Sequence, residues 1–335
     1  MLRVAYSEVL AEFTRILLRE GFRPDRAELC ARLFADASRD GVPTHGLNRF
    51  PGFIDFVRKG LVDAQAEPAL VERVGLLERW DGRGGPGPLN AWFCMDRAIA
   101  LARENAMGCA ALRNTNHWMR AGNYGLQAAE AGCIGLCWTN TVALMPPWGA
   151  RAPRLGNNPM VIALPGPDGP VLLDMAMTQF SQGKLLAYHS RGETLPVEGG
   201  FDRDGRPTRD PAAVLDSRRP MPIGYWKGSG LALMLDMVAA LLSGGQATHE
   251  ISRPEHETRV SQLFIAFDLR RLAPETAQRT VREVLESLHS AEPAEGAERP
   301  TYPGERMLRT RRESLERGVP VDPAAWQRLK TLQMT

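Results

Sequence analysis

No excess of either charge marks this chain. Across 335 residues, 41 Lys and Arg face 39 Asp and Glu, a formal net charge of +2 with the two signs interspersed. A nucleic-acid-binding surface needs a clustered basic face, so no nucleic-acid partner is expected. The five cysteines, at 30, 94, 109, 133 and 137, form no CxxC pair, and Cys133 and Cys137 are flanked by Ile, Leu and Trp instead of other metal ligands. That excludes a disulfide framework and a zinc ribbon, and it points to buried free thiols in a reducing, cytoplasmic setting with no metal. The longest apolar run, "GLALMLDMVAALLSGG" (230–245), is too short for a membrane span and carries Asp236. It reads as a buried helix closed by Gly244 and Gly245, with no membrane partner. The first residues, "MLRVAYSEVLAEFTRILLREG", show a 3.6-residue apolar period with charges throughout, so they read as an amphipathic helix and not a leader. No internal repeat is found.

What is present describes an ordinary globular enzyme-sized chain. Hydrophobic residues make up 44% and charged residues 24%, enough for a substantial core and two domains. Helical patterns cover 6–20, 24–39 and 50–59. Strand-like runs follow near 68–80, then a helix near 89–106, a strand at 109–114, a helix at 119–131 and a strand at 134–140. Further strands are expected at 160–165, 171–177 and 261–269, and helices near 228–243 and 274–289. Residues 190–211 read as a loop excursion, 290–305 as an extended polar crossing, and two helices close the chain. Strands alternating with helices predict an α/β (α+β) fold with a mixed sheet and flanking helices.

One short stretch imitates a dinucleotide-binding loop. "WDGRGGPGPLN" (80–90) places Gly82, Gly84 and Gly87 in the GxGxxG spacing. The fingerprint needs a buried strand before it and free backbone N–H groups around a pyrophosphate. Glu78, Arg79 and Trp80 suit a buried parallel strand poorly, and Pro86 and Pro88 each remove a donor. The acid expected about 20 residues on would be Glu104, which falls in a helical pattern. The stretch therefore reads as a structural turn.

Four other stretches can carry chemistry. In "DGVPTHGLNRFPGF" (40–53), Pro51 places a helix start just after His45 and Arg49, where free N–H groups and the helix dipole favour an anion. A carboxylate suits Arg49, and His45 can exchange a proton with a neighbouring oxygen; a solvated loop capped by Thr44 is the plainer alternative. In "NTNHWMRAGNYG" (114–125), polar residues crowd a strand-to-helix junction, where α/β sheets bind ligands, although His117 can equally be a core histidine bonded to a carbonyl. "TNTVALMPPWGARAPRLGNNPM" (139–160) and "LLDMAMTQFSQGK" (172–184) also follow strands. In "GYWKGSG" (224–230), Lys227 precedes a helix start that could receive a phosphate or could be an ordinary surface cation.

Taken together, "THGLNRFP", "NTNHWMRAGNYG", "WTNTVALMPPWGA", "LGNNPMVIALP", "YWKGSG" and "YPGE" resemble the malate/L-lactate dehydrogenase-2 type of oxidoreductases, in order and over nearly the whole chain. The resemblance implies a non-Rossmann NAD-binding fold, a homodimer, and hydride transfer from NADH, with NADPH left open, to the 2-oxo group of a sugar acid. By matching positions it makes His45 the proton donor, Arg49 the holder of the substrate carboxylate and His117 a residue of the substrate cleft. Thr44, which stands where a serine is frequent and still offers a hydroxyl, Trp118 and Arg120 would shape the substrate pocket. Asp174, Met175, Ala176, Met177 and Thr178 would line the cofactor, Trp226 and Lys227 would contact it, and Gly304, Glu305 and Arg306 would close over it. The implied division is 1–115 with 260–335 as the domain carrying the proton donor, and 116–259 as the cofactor-binding domain. A malate, lactate or ureidoglycolate dehydrogenase of the same family, or a sugar-acid-binding protein without chemistry, are the alternatives.

Overall fold

A computed structural model describes residues 2–332. The chain starts with strand β1 (Leu2–Val4), helices α1 (Tyr6–Arg19) and α2 (Pro24–Arg39), a 3-10 turn over Pro43–His45, and α3 (Phe50–Arg58). It continues through β2 (Ala69–Val74), β3 (Leu77–Asp81), α4 (Gly87–Asn105), β4 (Met107–Thr115), α5 (Gly122–Glu130), β5 (Cys133–Thr139), β6 (Met160–Leu164) and β7 (Val171–Met175). Then come α6 (Gln182–Ser190), β8 (Gly200–Phe201), β9 (Pro207–Thr208), α7 (Pro211–Ser217), α8 (Trp226–Ser243) and α9 (Thr248–Ile251). The last elements are β10 (Val260–Asp268), α10 (Leu269–Leu272), α11 (Ala277–His289), α12 (Glu305–Arg317), β11 (Val319–Val321) and α13 (Pro323–Thr331).

Seven strands form one mixed sheet in the order β2-β3-β4-β10-β5-β6-β7. Every pair is antiparallel except β3–β4, and that parallel pair needs a crossover, which α4 supplies. Side-chain alternation sorts the central strands onto two cores. Ala110 and Leu112 of β4 and Phe264 and Ala266 of β10 face α4 and α5. Cys109, Ala111 and Leu263 point the other way, onto Ala232, Leu235 and Ala239 of α8. A third core, built on Phe13, Phe34, Phe50 and Phe53, joins α1, α2 and α3 to Trp326 and Leu329 of α13. The sheet runs through both segments of the expected two-domain division. β10 bonds to β4 on one side and to β5 on the other, so the border between the segments follows a hydrogen-bonded seam and not a linker.

Several expectations are adjusted. Helix Tyr6–Arg19 agrees with the pattern over 6–20, but the residues before it are not helical: Leu2–Val4 pair antiparallel with Val319–Val321 and close the helical layer. The excursion at 190–211 contains the small β8–β9 hairpin, and α6 and α7 flank it. The apolar helix α8 is not a buried one. Its 18 residues, of mean hydropathy 1.2, are long and apolar enough by composition to cross a membrane. One face packs on the sheet, while Leu233, Met234, Met237 and Leu241 are exposed, the last to 74%. Asp236 lies on the packed face and accepts from Asn140 Nδ2 at 2.8 Å and from the Thr248 backbone at 2.9 Å.

Candidate active site

The cleft is assembled from three loops and the starts of two helices. The first loop leaves α2 at Asp40, whose side chain is fully buried and accepts from Arg39 Nε at 2.7 Å, from Arg120 at 2.6 Å and from Arg311 at 2.6 Å. These partners hold the Asp40 carboxyl well below the usual carboxylate range, against the opposing effect of burial. One carboxylate thereby ties the end of α2, the 117–121 loop and α12 together. The following turn carries Thr44 and His45, and Leu47 and Phe50 anchor it into the helical core. Arg49 caps α3 at its N-terminus.

The second loop leaves β4 with His117. Asn116 Nδ2 donates to the carbonyls of Gly84 at 2.8 Å and Gly85 at 3.0 Å, pinning the loop to the glycine cluster. A Cβ at Gly87 would sit 2.2 Å from the His117 carbonyl oxygen. The backbone N–H groups of Gly82, Gly84 and Gly85 are all spent on protein carbonyls. The GxGxxG imitation is therefore a buttress under His117 and offers no phosphate cradle. Trp118 is 1% exposed, with its indole stacked on Tyr124 at 5.5 Å in the sheet core.

The third side is β7. Asp174 Oδ2 accepts the Gly122 N–H at 2.8 Å. Gly304, at φ +97°, lies so close to β7 that a Cβ would fall 2.9 Å from the Leu172 nitrogen, so only glycine lets α12 start there. The Leu172 N–H donates to the Pro303 carbonyl at 2.9 Å.

These parts enclose a cleft of about 520 Å³ lined by Thr44, His45, His117, Trp118, Arg120, Asp174, Ala176, Gly304 and Met307, with Ser181, Gly183 and Lys184 of the α6 start above. The His45 and His117 rings stand 6.0 Å apart at 20°. Burial pushes the His45 imidazole below its ordinary value; Asp174 opposes that shift, and Arg49 and Arg120 add to it. Burial, Arg49 and His45 together push His117 much further down, and no carboxylate opposes them.

The sequence pattern of the malate/L-lactate dehydrogenases matches residues 4–330. The chain belongs to this family. It is 42% identical over 334 residues to the 2,3-diketo-L-gulonate reductase of Mannheimia succiniciproducens, covering 99% of this chain and all of the relative. The reductase of the same name from Escherichia coli K12 is 40% identical with the same coverage. Among solved structures, sulfolactate dehydrogenase from Methanocaldococcus jannaschii superposes with a TM-score of 0.89 at 30% identity, covering 99% of this chain and 96% of that one. Delta1-piperideine-2-carboxylate reductase from Pseudomonas syringae superposes with a TM-score of 0.86 at 30% identity, covering 99% and 100%. The fold is the family's mixed α/β fold and the chain is an oxidoreductase, for which the family implies a nicotinamide cofactor.

The residues singled out from sequence do not all meet in the cleft. Arg49 is exposed beside it and acts on both histidines through its charge, with no ion-pair partner among the described residues. Met177 is buried under α8, with Met175 packed beside it. Thr178 lines a neighbouring pocket of about 480 Å³, which shares Asn157 with the cleft. Trp226, 65% exposed, and Lys227 sit at the exposed start of α8 and do not line the cleft. Glu305 pairs with His289 at 3.0 Å, and Arg306 is exposed on α12. The guanidinium of Arg120, 2% exposed, is taken up by Asp40 and Asn123.

Sequence reasoning passed over three groups. Lys184, Ser181 and Gly183 lay inside a quoted stretch, but α6 itself was missed. Asp40 opened the quoted 40–53 stretch and was given no role there. Glu257 had no local signal; its carboxylate accepts the Val142 N–H at 3.0 Å, burial raises its pKa, and Arg49 pulls the other way.

The lining suits a long, partly anionic cofactor. A Cβ at Gly183 would lie 2.6 Å from the Thr44 methyl, so the first turn of α6 is as close to the Thr44–His45 turn as backbone allows. Lys184 and the α6 N-terminus, capped by Ser181, give that wall positive character. The adjoining pocket extends the space beyond Asn157.

Proposed function

We propose that this chain reduces the 2-oxo group of a sugar acid, 2,3-diketo-L-gulonate to 3-dehydro-L-gulonate, with NADH. The observation that carries the reading is the paired-histidine cleft, in which one imidazole, His45, has a carboxylate supporting its protonated form and the other has none. The two relatives that carry the reductase name are matched end to end at 40–42% identity.

A bound reduced nicotinamide supplies a hydride. Asp174, Ala176 and Gly304 would hold it in the cleft, with Thr178 in the adjoining pocket. Arg49, exposed beside the cleft, takes the substrate carboxylate and so fixes which carbonyl face meets the hydride. As the carbonyl oxygen gains charge, His45 gives it a proton. Burial lowers the His45 value, and the Asp174 carboxylate acts against that shift by favouring the imidazolium that donates. Thr44 Oγ1 lies 3.2 Å from His45 Nδ1 and orients the ring.

The exposed apolar face of α8 is assigned to a second copy of the chain, giving a homodimer. Trp226 and Lys227 lie at the end of that face, and their contact with a cofactor is assigned across the dimer. The five cysteines are all free and buried, in keeping with a cytoplasmic enzyme.

The test is a panel of 2-oxo acids, including 2,3-diketo-L-gulonate, pyruvate, oxaloacetate and sulfopyruvate, followed by loss of NADH or NADPH absorbance. The reading requires the diketo sugar acid with NADH to give the highest kcat/KM. A higher value for any C3 or C4 acid moves the chain to another member activity.

A further inference from the structure

His117 is held in a way that fixes its chemistry. Two residues on, Met119 has φ +63°, in the left-handed region that side-chain-bearing residues avoid. That backbone aims its N–H at the ring and donates to His117 Nδ1 at 2.9 Å. A backbone N–H can only donate, so Nδ1 is the acceptor, and the hydrogen of the neutral imidazole sits on Nε2. The backbone that carries the ring is held by the Asn116 amide, which donates to the Gly84 carbonyl, and by the close approach of Gly87 to the His117 carbonyl. The charged groups acting on it are Arg49 and His45, both disfavouring a second proton.

The neighbouring histidine is built for the opposite task. Its Nδ1 faces a hydroxyl, which can donate or accept, and Asp174 opposes the loss of its charge. Two nearly parallel rings 6.0 Å apart leave no room for a carbon skeleton sandwiched between them. Their edges can address two oxygens on adjacent carbons. We propose that His117 is a fixed neutral hydrogen-bond donor whose Nε2–H binds the oxygen on the carbon next to the one being reduced, so that the site selects 2-oxo acids with an oxygen acceptor at the third carbon. The proposal rests on the reductase reading above and deepens it: His45 gives up a proton, His117 keeps its own. A donor that is neutral before and after the step polarises an oxygen without a change of protonation state.

Two measurements test this, and only the second depends on turnover. In histidine-labelled protein, long-range nitrogen–proton correlation should show His117, identified by its absence in His117→Asn, in the Nε2–H form and unchanged from about pH 8 to about pH 5.5, across the range where an ordinary imidazole titrates. An Nδ1–H pattern, or an imidazolium anywhere in that range, overturns the assignment. In the second, His117→Ala should lose about tenfold to a hundredfold in kcat/KM on a 2,3-dioxo acid, the usual effect of removing one donor to a buried acceptor. On a 2-oxo acid without oxygen at the third carbon it should lose less than about threefold, and the alkaline limb of the pH profile should stay in place. Equal losses on both acids, or a vanished alkaline limb, overturn the donor role. Should no 2-oxo acid be turned over at all, the reductase reading and the donor role fall together, while the tautomer is decided by the spectra alone.

Discussion

Asp174 accepts the Gly122 N–H at 2.8 Å and is the carboxylate whose field favours a proton on His45. The β7 strand thus opposes the effect of burial on the acidity of a group carried by a loop more than a hundred residues earlier in the chain. Asp174→Asn keeps the Gly122 hydrogen bond through its amide oxygen and removes the charge. The His45 value then falls further, because burial and the Arg49 and Arg120 charges are left unopposed. Reduction needs the protonated form, so the alkaline limb of kcat/KM should move to lower pH. A displacement of one unit corresponds to about tenfold less activity at neutral pH. An unmoved limb would show that Asp174 does not govern the proton donor.

His45 itself is tested by removal. His45→Ala should cut turnover by about 10²–10⁴, the usual contribution of a positioned general acid. Nicotinamide fluorescence quenching should show cofactor binding near normal, since the groups assigned to the cofactor lie on β7, α6 and α12. Parental turnover in the variant would take His45 out of the mechanism.

The sequence showed the strands and most helices because their apolar periods are intact. β4 and β10, buried on both faces, read as nearly continuous apolar runs, and α4 is announced by Pro86 and Pro88 and ended near Gly108. α6 escaped because one residue of it, Leu185, is buried, and a helix without a core stripe has no period to read. The β1–β11 pair escaped because three-residue strands 315 residues apart carry no local pattern. At the site, His45, Arg49 and His117 stood out as polar residues at element junctions. The triple hold on Asp40 did not, since only Arg39 is its neighbour in sequence while Arg120 and Arg311 reach it from 80 and 271 residues away. The buttressing role of the glycine cluster was hidden for the same reason.

The two histidines should make stability depend on pH. Both have folded-state values below the unfolded one, so the unfolded chain binds more protons wherever pH lies below about 6.5. Their stabilising effect is fully present above that value and is lost as pH falls through it, by at most about 1.4 kcal/mol per pH unit for each fully shifted group. Urea unfolding at pH 7.5 and pH 5.5 should show lower stability at the acid end, and His117→Asn should shrink the difference. An identical difference in parent and variant would mean that His117 is not held neutral.

Asp40→Asn should damage the fold more than its position suggests. The substitution leaves the buried guanidinium of Arg120 and those of Arg39 and Arg311 facing one another without their common counter-charge. Breaking a buried ion pair from one side costs about 3–5 kcal/mol, and here the helix end, the His117 loop and α12 share the loss. Thermal unfolding should show a clear drop in Tm. Asp40→Glu, which keeps the charge, should recover part of it, and a Tm within a degree or two of the parent in Asp40→Asn would remove the keystone role.

The face of α8 gives the last prediction. Ala232, Leu235 and Ala239 pack inward on the sheet, while Leu233, Met237 and Leu241, spaced by four, form an outward apolar stripe with Met234 beside it. A contiguous apolar face of this kind on a folded chain marks a contact with another protein surface. In a two-fold dimer the same stripe meets itself, so one substitution acts twice. Two carboxylates placed by Met234→Glu and Leu241→Glu become four opposed across the contact, outnumbering the two Lys227 side chains at the end of that face. Light scattering should give the parent a mass of twice 36.9 kDa and the variant a mass near 36.9 kDa, with the circular dichroism of the fold retained because neither side chain reaches the core. If the variant keeps the parental mass, the dimer contact lies elsewhere on the surface. If it is monomeric but still binds cofactor as tightly as the parent, Trp226 and Lys227 make no contribution across the interface.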